Sequence, residues 1–233
     1  MESEVISSCN LCGTDPVATI DAEHHLCQCT ECGFIFDSPL GLIGQRLMGS
    51  RQVRLYHDHL LVKEPGTRQR TPWHQDTPYL PVGGNDLAVI WISFDDVDRD
   101  STLEFVKQSH RGTLFDGSRF DPDDDTAPLY DHPDYPRLPD IEANRDLYPI
   151  VGWPCSPGDV IVFHPSMLHG GGATSGCQRR RTLSLRYFGE DAVIAERPGA
   201  KVANPSKDLH PLHHLRDNPA GSPFRHADFP QTY

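Results

Sequence analysis

From residue 52 onward the chain alternates apolar and polar positions with a period of two, in short runs: VRLYHDHLLVKE, DLAVIWISFDDV, STLEFV, GDVIVFH and TLSLRYFGE. Each run is bounded by Gly, Pro or Asp. Successive side chains of an extended strand point to opposite faces, so this alternation predicts half-buried strands of an all-β barrel or sandwich. Residues 38–50, SPLGLIGQRLMGS, break the pattern: Leu42, Ile43, Leu47 and Met48 recur at helical spacing. A short amphipathic helix is expected there, joining what precedes it to the barrel. The chain carries no internal repeat.

Between the strands expected at 102–106 and 159–164 lies a Pro- and Asp-rich stretch, and residues 111–150 of it are a candidate lid, because a loop this long in a compact domain is usually functional. The tail after about residue 196 is rich in Pro, His and polar residues and is expected to wrap the surface as irregular structure.

Composition narrows the function classes. The chain has 233 residues with 21 Lys plus Arg against 33 Asp plus Glu, a net charge of −12 that disfavours a nucleic-acid backbone or an anionic membrane face as partner. No apolar run approaches a membrane span, and MESEVISSCN lacks the basic and apolar regions of a secretory leader, so a cytoplasmic protein is expected.

Five of the seven cysteines fall between positions 9 and 32. Cys9-x2-Cys12 and Cys29-x2-Cys32 have the two-knuckle spacing of a zinc ribbon, in which each CxxC pair grips the ion from one turn and four thiolates complete a tetrahedron. Residues 1–37 are therefore read as a small ribbon holding structural Zn(II) and as a candidate protein-docking element, ahead of a barrel domain at 38–233. Cys27 is a bystander by spacing.

The segment TPWHQD offers His74 and Asp76, which point the same way from an extended segment, and FHPSMLHGGG offers His169 after the GDVIVF strand. Two imidazoles and one carboxylate on one face leave the opposite coordination positions open, as in non-haem Fe(II) oxygenases. Arg180 follows His169 by eleven residues at the start of a strand, and its guanidinium suits the far carboxylate of a dicarboxylate such as 2-oxoglutarate. Alternation sends Arg180 to one face and Arg179 and Arg181 to the other. Lys63 is either a second charge for the cosubstrate or an exposed edge lysine. His164, and the His57-x-His59 pair, are read as wall or structural groups.

HDHLLVKEPG, TPWHQD, AVIWISFDDVD, LEFVKQSHRG, GDVIVFHPSMLHGGG and RRRTLSLRYFG together resemble the phytanoyl-CoA dioxygenase family of Fe(II)- and 2-oxoglutarate-dependent oxygenases, over roughly residues 50–190. The resemblance implies a double-stranded β-helix, a cupin-like jelly roll with a few peripheral helices. It assigns His74, Asp76 and His169 to iron and Arg180 to the 2-oxoglutarate carboxylate, and puts Gln75 and Trp91 at cosubstrate contacts. It implies a dioxygenase that uses O2 and releases succinate and CO2. Asp76 speaks against halogenation, since halogenating relatives lack that carboxylate. The lid holds ten acidic residues against four arginines, which disfavours a polyphosphorylated CoA ester and favours a small neutral or cationic substrate. The alternatives are carboxylates that only solvate the loop and, for the whole chain, an inactive oxygenase-like binding module.

Overall fold

A computed structural model of the chain describes residues 17–21, 26–29, 35–121, 123–174, 178–198, 214–215 and 217–232. The elements in chain order are β1 (Val17–Asp21), β2 (Leu26–Cys29), β3 (Ile35–Asp37), α1 (Ser38–Met48), β4 (Arg54–Lys63), β5 (Thr71–His74), β6 (Val82–Gly83), β7 (Leu87–Ser93), β8 (Leu103–Val106), β9 (Ile150–Gly152), β10 (Val160–Phe163), β11 (His169–Gly171), β12 (Arg180–Phe188) and β13 (Val193–Ile194).

Eight strands form two four-stranded antiparallel sheets, ordered β10-β7-β12-β4 and β5-β11-β8-β9. The chain changes sheet at almost every step, β4 to β5, then β7 to β8 and β9, then β10 to β11 to β12, which is the winding of a jelly roll. The inner faces meet through Val89 and Trp91 of the first sheet, Leu103 and Phe105 of the second, and Val97, Cys155 and Phe163.

Helix α1 covers the outer face of the first sheet, where Leu40, Ile43 and Met48 pack with Val53, Leu55, Ile90, Leu185 and Tyr187. It stops at Gly49, whose left-handed φ of 72° is open mainly to glycine and whose N–H still reaches the Gln45 carbonyl at 2.8 Å. The helix falls where helical spacing predicts it, but Leu47 is 65% exposed and the buried stripe runs instead through Leu40, Ile43 and Met48.

The tail departs from expectation. Leu215, Phe224 and Phe229 are buried and form a core with Val82, Leu87, Phe188 and Ala192. Each buried phenylalanine contributes roughly 1.5–3 kcal/mol of apolar transfer, so the described tail plugs one end of the barrel. Its last residues run beside β4, with Leu55 N–H donating to the Pro230 carbonyl and Thr232 N–H to that of Val53. A Cβ at Gly41 would lie 2.6 Å from the Thr232 carbonyl oxygen, so glycine there permits the close approach of tail and helix.

The lid is also tied down. Leu138 and Ile141 are buried against Trp73, Val106 and Leu168, and Trp73 Nε1 donates to Glu142 at 3.0 Å.

At the head, β1, β2 and β3 make a three-stranded antiparallel sheet that ends where α1 begins. Cys9, Cys12 and Cys32 lie outside the described residues, and Cys29 enters β2 through its backbone. Among the described residues no helix is long and apolar enough to cross a membrane.

Candidate metal centre

The second sheet brings the three sequence-distant ligand candidates together. His74 ends β5, His169 begins β11, and the antiparallel register sets them opposite each other, with ring centroids 4.2 Å apart. Asp76 follows two residues later, held because the Asp76 and Thr77 N–H groups both donate to the Pro165 carbonyl, at 2.8 and 3.2 Å. That contact locks the approach to β11 against the end of β5. Ligand atoms of His74, Asp76 and His169 all lie within 4.8 Å of one another, and all three residues are buried.

Hydrogen bonding fixes the tautomers. His74 Nδ1–H donates to the Pro72 carbonyl at 2.9 Å, and His169 Nδ1–H donates to that of Met167 at 2.9 Å. A carbonyl only accepts, so both Nε2 atoms keep their lone pairs and face the centre. Burial lowers the His74 imidazole against the opposing pull of Asp76. Burial, with repulsion from His74, pushes His169 down to about 3. Neutral imidazoles are the form that binds metal. Burial on its own would raise the Asp76 carboxyl, but the charge and hydrogen bonds of the Arg186 guanidinium lead the opposing pull, and the group stays below the usual carboxylate range. Phe105 and Phe163 wall the site, with ring centroids 6.0 and 4.8 Å from that of His169.

A second charged region lies along β11. Arg180 is buried, and its Nη1 donates to the carbonyls of Ser101 and, at 3.4 Å, Gly172. Lys63 stands opposite it in the ladder and donates to the carbonyls of Gln69 at 2.9 Å and Gly172 at 3.1 Å. Among the described residues neither cation has a carboxylate within ion-pairing distance. Arg179 and Arg181 turn outward to pair with Glu64 and Asp95. Two residues of strand separate His169 from Gly171, beside which Arg180 lies, a rise of roughly 7 Å. A candidate triad of two neutral imidazoles and one carboxylate therefore sits a short dicarboxylate's length from two cations without a carboxylate partner among the described residues.

Gln75 and Trp91, both expected at the cosubstrate, are both buried. Gln75 is 2% exposed and both of its amide protons and one acceptor site go to backbone: its Nε2 donates to the Thr113 and Ser166 carbonyls, and its Oε1 accepts from Phe115 N–H. Pointing away from its neighbours His74 and Asp76, it pins the start of the lid. Trp91 is 3% exposed in the core between the sheets, beside Ser184 in the ladder. His164 Nδ1 accepts from Ser166 N–H at 3.1 Å, which uses the lone pair a metal would need.

Phe120 and Arg186 escaped the reading of the sequence. The lid sets the Phe120 ring 5.1 Å from the His74 ring and 6.4 Å from that of Tyr79, from a strained backbone with φ of 55°. Nothing in a Pro- and Asp-rich loop announces such a residue. Arg186 was legible: counting by twos from Arg180 along β12 reaches Thr182, Ser184 and Arg186 on the same inner face.

A further cluster, His214, His226 and Asp228, lies on the tail. Its imidazoles stack at 14° and His226 Nδ1 already accepts from Asp228 N–H, so their lone pairs do not converge on a point.

A jelly roll with two histidines and one carboxylate at its mouth is the architecture of mononuclear non-haem metal proteins. Within that class, the phytanoyl-CoA dioxygenase (PhyH) family model matches residues 17–182, and the chain belongs to this family. The match starts well before the residues that carry the resemblance in the sequence and takes in β1 to β3. Peroxisomal phytanoyl-CoA dioxygenase of Mus musculus is 26% identical over 170 residues, covering 67% of this chain and 46% of the relative. L-proline trans-4-hydroxylase of Streptomyces griseoviridis is 29% identical over 160 residues, covering 64% and 58%. The chain thus spans about half the length of the curated relatives it matches. Among solved structures, the epimerase SnoN in complex with Fe3+, alpha ketoglutarate and nogalamycin RO superposes with a TM-score of 0.60 at 22% identity, over 84% of this chain and 71% of that one. At that identity the likeness is one of fold.

Proposed function

We propose that the chain is an Fe(II)- and 2-oxoglutarate-dependent dioxygenase that hydroxylates a small neutral or cationic molecule, with release of succinate and CO2. The observation that carries this reading is the pairing of the His74/Asp76/His169 triad, two neutral imidazoles and one carboxylate, with Arg180 and Lys63, which have no carboxylate partner among the described residues. Iron, when bound, would supply the activation of dioxygen and the oxidative decarboxylation of the cosubstrate.

The rest is the work of the chain. His74 and His169 present Nε2 lone pairs already oriented by backbone carbonyls, and Asp76 adds the negative charge that selects a divalent cation. Arg180 and Lys63 would orient the far carboxylate of 2-oxoglutarate, leaving its 2-oxo acid end toward the triad. Phe105 and Phe163 exclude water from one side, and Phe120 and Tyr79 offer aromatic faces on which an apolar or cationic substrate group can rest. Part of the lid's acidity is structural: Asp116 accepts from the N–H groups of Tyr130 and His132, Asp124 pairs with Arg137, and Glu142 pairs with Arg70 and Arg145. The remaining carboxylates keep the lid net negative and support a substrate without phosphates.

The test is succinate formation by the full chain that requires both added Fe(II) and 2-oxoglutarate and disappears in Asp76→Ala and His169→Ala. Turnover that ignores either addition would refute the reading, and preferential turnover of a CoA ester would refute the substrate class. The head is proposed to hold one Zn(II) on Cys9, Cys12, Cys29 and Cys32. One equivalent of zinc in purified protein, lost in Cys9→Ser/Cys12→Ser, is the expected result.

A further inference from the structure

We infer that Arg186 is the positioning residue of the metal centre: it holds Asp76 as a one-oxygen ligand and ties that carboxylate, through His59, to His57 on the edge strand β4. The inference rests on the reading of His74, Asp76 and His169 as metal ligands.

The two oxygens of Asp76 have different neighbours. Oδ2 accepts from both Nε and Nη2 of Arg186, at 3.1 and 2.8 Å. Oδ1 faces His74 Nε2 at 3.6 Å. Two ligands bonded to one ion at about 2.0–2.1 Å, with an angle between 90° and 110°, stand roughly 2.8–3.4 Å apart. Oδ1 and Nε2 are therefore already near the separation that a shared ion imposes, while Oδ2 is occupied. A carboxylate bound through both oxygens would use two metal positions. Holding Asp76 to one keeps three positions open opposite the protein ligands, as many as a chelating cosubstrate and dioxygen require.

The third arm of the guanidinium continues the chain. Arg186 Nη1 lies 3.2 Å from His59 Nδ1, and His59 Nε2 lies 2.7 Å from His57 Nε2. Arginine has donors and no acceptor, so His59 Nδ1 must be the bare nitrogen. Its proton then sits on Nε2, which donates to His57 Nε2, and His57 carries its own proton on Nδ1. One residue thus sets the direction of every bond from the edge strand to the metal ligand.

The same contact answers the burial of the carboxylate. Asp76 is 6% exposed, and a carboxylate buried to that degree needs a counter-charge. Arg186, itself largely buried, supplies the counter-charge. The guanidinium does not need to move when a metal arrives, because the ion would approach Oδ1.

Mn(II) titration of the full chain under air-free conditions, followed by calorimetry, tests this, with the visible spectrum of the Co(II) form as a second readout of coordination. Wild type should bind Mn(II) at a site lost in His169→Ala. Arg186→Met should weaken binding about 10- to 100-fold and change the Co(II) spectrum, Arg186→Lys should recover part of the affinity, and His59→Phe should lose only a few-fold. Unchanged affinity and spectrum in Arg186→Met, or tighter binding there, overturns the inference. Should Arg186→Met fail to fold, Arg186→Lys with wild-type affinity and spectrum overturns it equally. Wild type with no Mn(II) site sensitive to His169→Ala defeats the underlying metal reading instead.

Discussion

Lys63 ties the proposed cosubstrate to a measurable proton. Its ammonium is partly buried beside Arg180, and burial, with repulsion from Arg180 and Arg70, brings it from 10.5 down to about 8. Keeping it charged at neutral pH costs up to roughly 3 kcal/mol, less where solvent screens it. The sign follows from proton counts. Below pH 8 the amine is charged in both folded and unfolded chains and its burial opposes folding. Between about 8 and 10.5 the folded chain releases the proton while the unfolded chain keeps it, so this penalty is relieved as pH rises. Lys63→Met should therefore raise the melting temperature at pH 7 in the absence of ligand, with the gain shrinking toward pH 9.5. A carboxylate at this place reverses the balance by restoring the ammonium. At an effective dielectric of about 20, a pair at 4 Å gains about 4 kcal/mol before desolvation, of which some 1–2 kcal/mol should survive, or roughly 5- to 30-fold in affinity. Calorimetry of 2-oxoglutarate binding to the Mn(II) form should show wild-type affinity falling about tenfold from pH 7 to 9.5, with proton uptake near pH 8.5. Lys63→Met should bind more weakly at pH 7 and respond much less to pH. Parallel pH profiles for the two proteins would refute the placement of Lys63 at the cosubstrate.

Other perturbations separate neighbouring roles. A Cβ at Gly172 would lie 1.9 Å from the Asp100 carbonyl oxygen, so Gly172→Ala must displace the 100–101 turn whose Ser101 carbonyl anchors Arg180; 2-oxoglutarate affinity should drop at least tenfold while Mn(II) affinity holds, as calorimetry can check. Gln75→Ala removes two hydrogen bonds to the start of the lid and one to the Ser166 carbonyl and should cost roughly 2–4 kcal/mol in chemical denaturation, with cosubstrate affinity of the folded protein nearly unchanged. Glu142→Ala strips the partner shared by Trp73 and Arg145, and limited proteolysis should then cut within residues 111–150 several-fold faster than in wild type.

The barrel strands were legible because a strand that buries one face must alternate, and no tertiary contact is needed to see VRLYHDHLLVK or TLSLRYF as such. His74, Asp76, His169 and Arg180 stood out because ligand chemistry restricts residue type and because their spacing reproduces a family pattern. The same spacing says less about Gln75 and Trp91. Position between two ligands, or on the next strand, does not tell whether an amide meets a cosubstrate or backbone, and here three backbone groups bind the Gln75 amide. Nor did polar composition expose the tail's role, since two phenylalanines and one leucine are enough to fill the end of a barrel when the other side of the core awaits them.

What the sequence determined by itself is the local chemistry: strands by alternation, a helix by spacing, a candidate metal triad and its candidate arginine by residue type. What only the tertiary structure decided is which groups are left uncompensated and which are already satisfied. Among the described residues Arg180 and Lys63 have no carboxylate partner, while Arg186 has claimed one oxygen of Asp76. Charge pairing depends on distances across strands remote in the chain, and those distances are set by the register of two sheets packed face to face.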